Sequence, residues 1–197
     1  VQLKSGWSGV SALKGVRANC HAAIFHNGNL HAESIGELQF TEYGLSGIPV
    51  MQLSGRLSRL RKGEKCTALV DLFPEWEEEA LFRELKARQK MAKRETLETF
   101  LLGTIHKRLA YAVLKSAGLQ PLSRPVTDLS NGDLHRLAET LKCWRFAVTG
   151  TQGWDAAQVT GGGIPLSEID GRTMESKRAS GLYLAGEILD VTGDCGG

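Results

Sequence analysis

The sequence predicts an α+β fold: a small antiparallel β-barrel interrupted by a helical subdomain and followed by a glycine-rich C-terminal segment. Three observations carry this expectation. Apolar residues alternate over 16–25, 30–40 and 66–72, the period of half-buried strands. A helix-period stretch fills 74–142 before another strand-like run at Trp144–Val148. Beyond Val159 the chain carries two glycine clusters and no helical pattern. The boundaries that follow are 1–73 with 143–158 for the barrel, 74–142 for the helices and 159–197 for the tail.

Val16, Ala18, Cys20, Ala22 and Ile24 share one face of the first run, with Arg17, Asn19 and His21 on the other. Asn27-Gly28 supplies the positive φ angles of a tight hairpin. The return strand alternates through Leu30, Ala32, Ser34, Gly36, Leu38 and Phe40, and Gly36 suggests a bulge that helps the sheet curl. From Pro49 the period becomes helical, with Val50, Leu53, Leu57 and Leu60 on one stripe and Gly63 past the end. Cys66, Ala68, Val70 and Leu72 return to strand.

After Pro74 a first helix begins acidic at Glu75, Glu77, Glu78 and Glu79 and ends basic at Lys86, Arg88, Lys90 and Lys93, matching the helix dipole. Leu97, Leu101, Ile105, Leu109 and Val113 follow at i, i+4 spacing. Gly103 divides this run, and Gly118 with Pro121 stops it. Ser130 and Asp133 form a capping-box start for a helix burying Leu134, Leu137, Ala138 and Leu141.

Of the 197 residues, 42% are hydrophobic and 23% charged, the balance of a globular chain rather than a disordered one. No apolar run approaches the ~18 residues of a membrane span, and no signal-peptide pattern is present. A net charge of +2 does not argue for a polyanionic partner. Cys20, Cys66, Cys143 and Cys195 are scattered, without metal-ligand spacing, and read as reduced thiols with no metal site. Cys195 stands among glycines and reads as a loop thiol.

The tail is the most specific part. It contains Thr160-Gly161-Gly162-Gly163-Ile164 with Glu168-Ile169, then Thr173-Met174-Glu175-Ser176-Lys177, then Gly181-Leu182-Tyr183-Leu184-Ala185-Gly186-Glu187-Ile188-Leu189-Asp190. These three blocks, in that order, closely resemble the C-terminal signature of the bacterial BaiN/YhiN-like NAD(P)/FAD-dependent flavoproteins. Phe40-Thr41, Gly44-Leu45-Ser46-Gly47-Ile48-Pro49, Asp71-Leu72-Phe73-Pro74 and Lys107-Arg108-Leu109-Ala110 resemble internal landmarks of the same family. The family's N-terminal strand and Gly-x-Gly-x-x-Gly turn, which would cradle the FAD pyrophosphate, have no counterpart. The chain also begins at Val1 without methionine and stops on Gly196-Gly197. The expectation is a piece of a larger cytoplasmic protein, with residues 159–197 a truncated C-terminal segment of its FAD-binding domain and the N-terminal FAD-binding region missing.

The resemblance implies an FAD-dependent oxidoreductase that passes hydride from NAD(P)H through flavin to an organic small molecule. The insert would cover the flavin and shape the substrate cleft. Gly186, Glu187 and Asp190 then fall in the terminal strand beside the flavin, with Glu187 accepting from the ribityl chain. Gly161, Gly162 and Gly163 would let main chain pass close to the ring, and Gly196 and Gly197 belong to the same cofactor edge. Gly44-Leu45-Ser46-Gly47 precedes a helix start with free amides, which makes Ser46 and Gly47 candidate flavin or substrate contacts.

His21, His26, His31, His106 and His135 have no nucleophile or acid beside them in sequence, so no catalytic residue is assigned. The alternative function is a stand-alone module binding protein or nucleic acid through Lys86, Arg88, Lys90, Lys93, Arg94, Lys107 and Arg108. The interleaved Glu84, Glu95 and Glu98 argue for a solvated face and against a nucleic-acid partner.

Overall fold

The computed structural model describes residues 1–57, 66–157, 161–191 and 193. Leu60 and Gly63 of the first helical stripe, with Val159, Thr160, Asp194, Cys195, Gly196 and Gly197 of the tail, lie outside the described residues. Six strands close an antiparallel barrel: β1 (Leu3–Ser5), β2 (Arg17–His26), β3 (Asn29–Phe40), β4 (Gly44–Gly47), β5 (Cys66–Asp71) and β6 (Trp144–Thr151), in the order β1-β4-β3-β2-β5-β6. Helix α1 (Ile48–Leu57) follows β4. Between β5 and β6 the chain makes α2 (Glu78–Met91), α3 (Leu97–Phe100), α4 (Lys107–Ser116) and α5 (Asn131–Lys142).

The β2–β3 hairpin turns on Asn27 and Gly28 at φ 48° and 85°. Its irregularity is not at Gly36, which pairs regularly with Cys20; register slips where Ile24 faces Ala32 but Phe25 faces Leu30, so His31 is the extra residue of a bulge. That extra residue reverses the alternation, so Leu30 stands 53% exposed rather than inward with Ala32. Gly36 has another reason to be small: a side chain there would press on Pro49 at the start of α1.

Two strands carry no readable sequence pattern. β1 inserts between β4 and β6 and closes the barrel. A Cβ at Gly44 would lie 2.0 Å from the Leu3 carbonyl, and one at Gly47 2.3 Å from that of Glu37, so both glycines allow main chains to meet. Gly44–Gly47 is therefore a paired strand and not a loop of free amides. The Gly44 N–H donates to Thr41 Oγ1 at 3.0 Å, and Leu45, Ser46 and Gly47 sit opposite Phe40, Gln39 and Leu38.

The barrel interior is aromatic. Phe40, Phe146 and Trp144 are buried, and Trp7 meets Trp144 and Phe146 edge-on with centroids 5.2 and 5.7 Å apart, a favoured geometry. The core continues without a break into the helices through Leu85, Leu97, Phe100, Val113, Leu134 and Leu137. Lys142, at the end of α5, donates to Asp71 Oδ2 at 2.6 Å and to the Phe73 carbonyl at 2.8 Å, pinning the helical subdomain to β5.

α2 starts at Glu78 rather than Glu75, because the Trp76 N–H closes a turn onto the Phe73 carbonyl at 3.0 Å first. Gly103 at φ 79° separates α3 from α4, and Gly118 at φ 73° follows α4. Helix α5 carries the full capping box: Ser130 Oγ accepts from the Asp133 N–H and Asp133 Oδ2 from the Ser130 N–H. Arg124 and Arg136 both pair with the buried Asp133 carboxylate. No helix among the described residues is long and apolar enough to cross a membrane.

Two outcomes follow from this packing. Gly44→Ala forces β1 off β4 and lowers stability by about 1–3 kcal/mol; a thermal midpoint equal to wild type removes Gly44 from the closure. The Ser130 main-chain N–H, then the Ser130 side chain and Arg124, holds the Asp133 carboxyl below its ordinary pKa. Its stabilisation is complete above the unfolded value, about 4, and is lost as pH falls through the lower folded value. Asp133→Asn is expected to cost about 1–2 kcal/mol at neutral pH, a gap that closes below pH ~4 in denaturant melts.

Candidate functional site

Residues 161–191 build a small scaffold of their own. Asp170 Oδ1 accepts from the N–H groups of Arg172 and Thr173 at 2.9 and 3.0 Å, and these bonds hold its carboxyl below the usual range. That turn leads into Thr173–Lys177, where Ile169 bridges Ser176 and Glu175 bridges Tyr183. Glu175 Oε1 also takes the Gly181 N–H at 2.6 Å, and Arg178 pairs with Glu168 at 2.6 Å. The central block thus holds the two glycine-bearing blocks in place.

Those two blocks then meet. The Ile164 N–H donates to the Ile188 carbonyl at 2.8 Å and the Asp190 N–H to the Ile164 carbonyl at 3.0 Å, a parallel bridge between Ile164 and Leu189. Gly163 makes this approach feasible: at φ 145° a Cβ would stand 2.4 Å from the Ile188 carbonyl, which no side chain tolerates. So Gly161, Gly162, Gly163, Gly186, Glu187 and Asp190 are brought to one locus. Ile164 and Leu189, the pair that joins the blocks, had no sequence signal, because a single bridge has no period.

The buried strand expected at Gly181–Asp190 is not formed. Only single bridges hold the segment, and Gly186–Ile188 is a 3-10 turn entered through Gly186 at φ 78°. Leu182, Tyr183, Ile188 and Val191 are between 47% and 63% exposed. The segment has no neighbouring strand among the described residues, so its apolar side chains stay open. Around Gly161, Gly162 and Gly186 the space a side chain would fill holds no atom of the described residues within 4 Å, chain neighbours aside. Glu187 is exposed and has no hydrogen-bond partner among the described residues.

Ser46 and Gly47 do not join this locus. Ser46 is 4% exposed within β4, and Gly47 is tied to β3. The other titratable groups have structural surroundings. His21 Nε2 lies 3.2 Å from Glu33, His135 stacks on Phe82 at 3.7 Å, and Lys86 lies over the same ring. Burial, reinforced by Asp71, pushes the Cys20 thiol up to about 12, which leaves it protonated and unreactive. Cys20, Cys66 and Cys143 are free thiols, and among the described residues no three His, Cys, Asp or Glu groups gather to hold a metal.

A closed antiparallel barrel with helices threaded between its fifth and sixth strands defines the class. Residues 1–159 match the HI0933-like protein barrel and H2TH domain, and the chain belongs to that family. It is similar, at 34% identity over its full length, to a 3-dehydro-bile acid delta(4,6)-reductase of Clostridium scindens, of which it covers 48%. It is 30% identical over 96% of its length to a ribosomal RNA dihydrouridine synthase of Haemophilus influenzae, covering 42% of that protein. An Escherichia coli protein of the same name is 33% identical over 87% of the chain, with 40% of the relative covered. The chain thus spans about half, or less, of the length of these relatives.

Gly163→Ala should separate Gly163 from Ile188 at a cost of about 1–3 kcal/mol of local strain. The expected readout is faster protease cleavage within 181–190 with the barrel's melting unchanged; wild-type cleavage rates would show that the close approach is not what holds the segment.

Proposed function

We propose that the chain is the barrel insert and returning segment of an FAD-dependent oxidoreductase, which carries hydride from a reduced nicotinamide to an organic acceptor. The observation that carries this reading is the open edge made by Gly161, Gly162 and Gly186 beside the exposed Glu187. Bare main chain admits a flat ring without a clash, and exposed amides favour negative charge beside them. The exposed Leu182, Tyr183, Ile188 and Val191 supply an apolar border, which a protein surface normally covers with something. These features fit a flavin, which when bound would supply the two-electron relay.

In this reading Glu187 holds the ribityl hydroxyls as an acceptor-only group, and Asp190 keeps its main-chain bond to Ile164 so that Glu187 stays aimed outward. The barrel and helices exclude water from one side of the reacting centre and shape the cleft. The remaining FAD-binding region of the same protein, preceding this segment, supplies the pyrophosphate cradle, and the protein works in the cytoplasm. The relatives' names support the acceptor class: a delta(4,6)-reductase and dihydrouridine synthases are both named for saturating carbon–carbon double bonds. An unsaturated organic group is therefore the proposed acceptor, in a small molecule as the first name has it or in RNA as the others do.

The test is Glu187→Ala in the full-length protein, with bound flavin measured by absorbance after dialysis and affinity by fluorescence. Losing a hydrogen bond to a charged group should weaken FAD about ten- to a hundredfold. Wild-type retention of FAD by that variant would remove Glu187 from the cofactor site.

A further inference from the structure

The seam between barrel and helices holds a furrow that the flavin reading does not use. Its first half, of about 170 Å³, is lined by Trp76, Leu85, Leu101 and Leu141 with Arg88 and Glu84 at its side. Its second half, of about 240 Å³, is lined by Arg17, Asn19 and His106. Phe73 and Thr104 border both halves, so the two lie end to end across the α3–α4 turn. A cavity of ~150 Å³ already accepts a benzene-sized ring, so either part is large enough for one.

The halves differ in chemistry. Trp76 is 41% exposed, and its ring has no aromatic partner among the described residues. Arg88 is held by Thr104 Oγ1 at 2.8 Å and the Leu102 carbonyl at 2.7 Å, which fixes its planar guanidinium against the apolar half. Indole and guanidinium both stack on flat rings. In the other half, His106 Nδ1 accepts from the Arg108 N–H at 3.2 Å. With Nδ1 accepting, Nε2 is the ring nitrogen left to donate. The Asn19 amide has no partner among the described residues, and Arg17 reaches Glu37 through one nitrogen only, leaving further N–H groups. The half thus presents donors, beside the Glu37 carboxylate that Arg17 holds and that stands opposite Asn19.

We propose that this furrow binds a small amphipathic acid, its ring against Trp76 and Arg88 and its anionic group among Arg17, Asn19 and His106. The anion accepts from the donors, and the ring buries surface that is otherwise half-open. Such a site is separate from the locus at 161–163 and 186–190, so a ligand here is distinct from the flavin.

Calorimetric titration of 2-naphthalenesulfonate into the full-length protein tests the proposal. The expected result is one equivalent bound, with Asn19→Asp weakening it about tenfold or more by placing like charge beside the sulfonate. Thr104→Trp, at an exposed position shared by both halves, should abolish binding by filling the furrow, and Glu187→Ala should leave it unchanged. Wild-type affinity in both furrow variants overturns the proposal, as does the absence of binding heat in the unaltered protein. Loss of binding in Glu187→Ala alone also overturns it, by placing the probe in the cofactor site.

Discussion

Everything in the molecule depends on a three-residue strand. Leu3–Ser5 pairs with β4 on one side and β6 on the other, turning a sheet with two edges into a closed barrel, which alone removes the edges. The contact needs a bare main chain at Gly44, since any side chain there would collide with the Leu3 carbonyl. Closure encloses Phe40, Trp144 and Phe146, and brings Trp7 against them. The backbone contact and the aromatic interior thus occur together in the closed barrel.

The helical subdomain is fastened to that barrel at both of its ends. It leaves β5 at Asp71 and returns through Lys142, and these two residues pair at 2.6 Å with both side chains only 16% exposed. Because the pair is shielded, it is screened less than a surface salt bridge. The Leu72 N–H also donates to the Leu141 carbonyl at 2.9 Å. The fastening fixes the seam between the two parts, and the furrow at Phe73 and Thr104 is what the seam leaves unfilled. Around it the core passes from barrel to helices without interruption.

The C-terminal scaffold obeys a different economy. Its described main-chain bonds run within residues 164–191, and few of its apolar side chains are covered beyond Ile169 and Leu189. Turns stabilised by Asp170 and Glu175 take the place of a core. A segment so held presents glycine main chain and a lone carboxylate outward.

Local chemistry was legible in the sequence wherever one short stretch decides the outcome. Asn27-Gly28 dictates its hairpin through positive φ, Ser130 and Asp133 dictate a helix start, and the stripe from Leu134 to Leu141 dictates what that helix buries. The three tail blocks are joined in the fold by the Ile164–Leu189, Ile169–Ser176 and Glu175–Tyr183 bridges. What only the tertiary structure decided is long-range pairing. β1 and β4 are too short to show a period, and the bulge at His31 is set by register against Ile24. Gly36, Gly44 and Gly163 are small because of neighbours that pack against them from elsewhere in the chain. The Asp71–Lys142 pin joins residues seventy-one apart in number. Sequence determines what each stretch favours on its own; which main chains must touch, and hence where a side chain is forbidden, exists only once the barrel has closed.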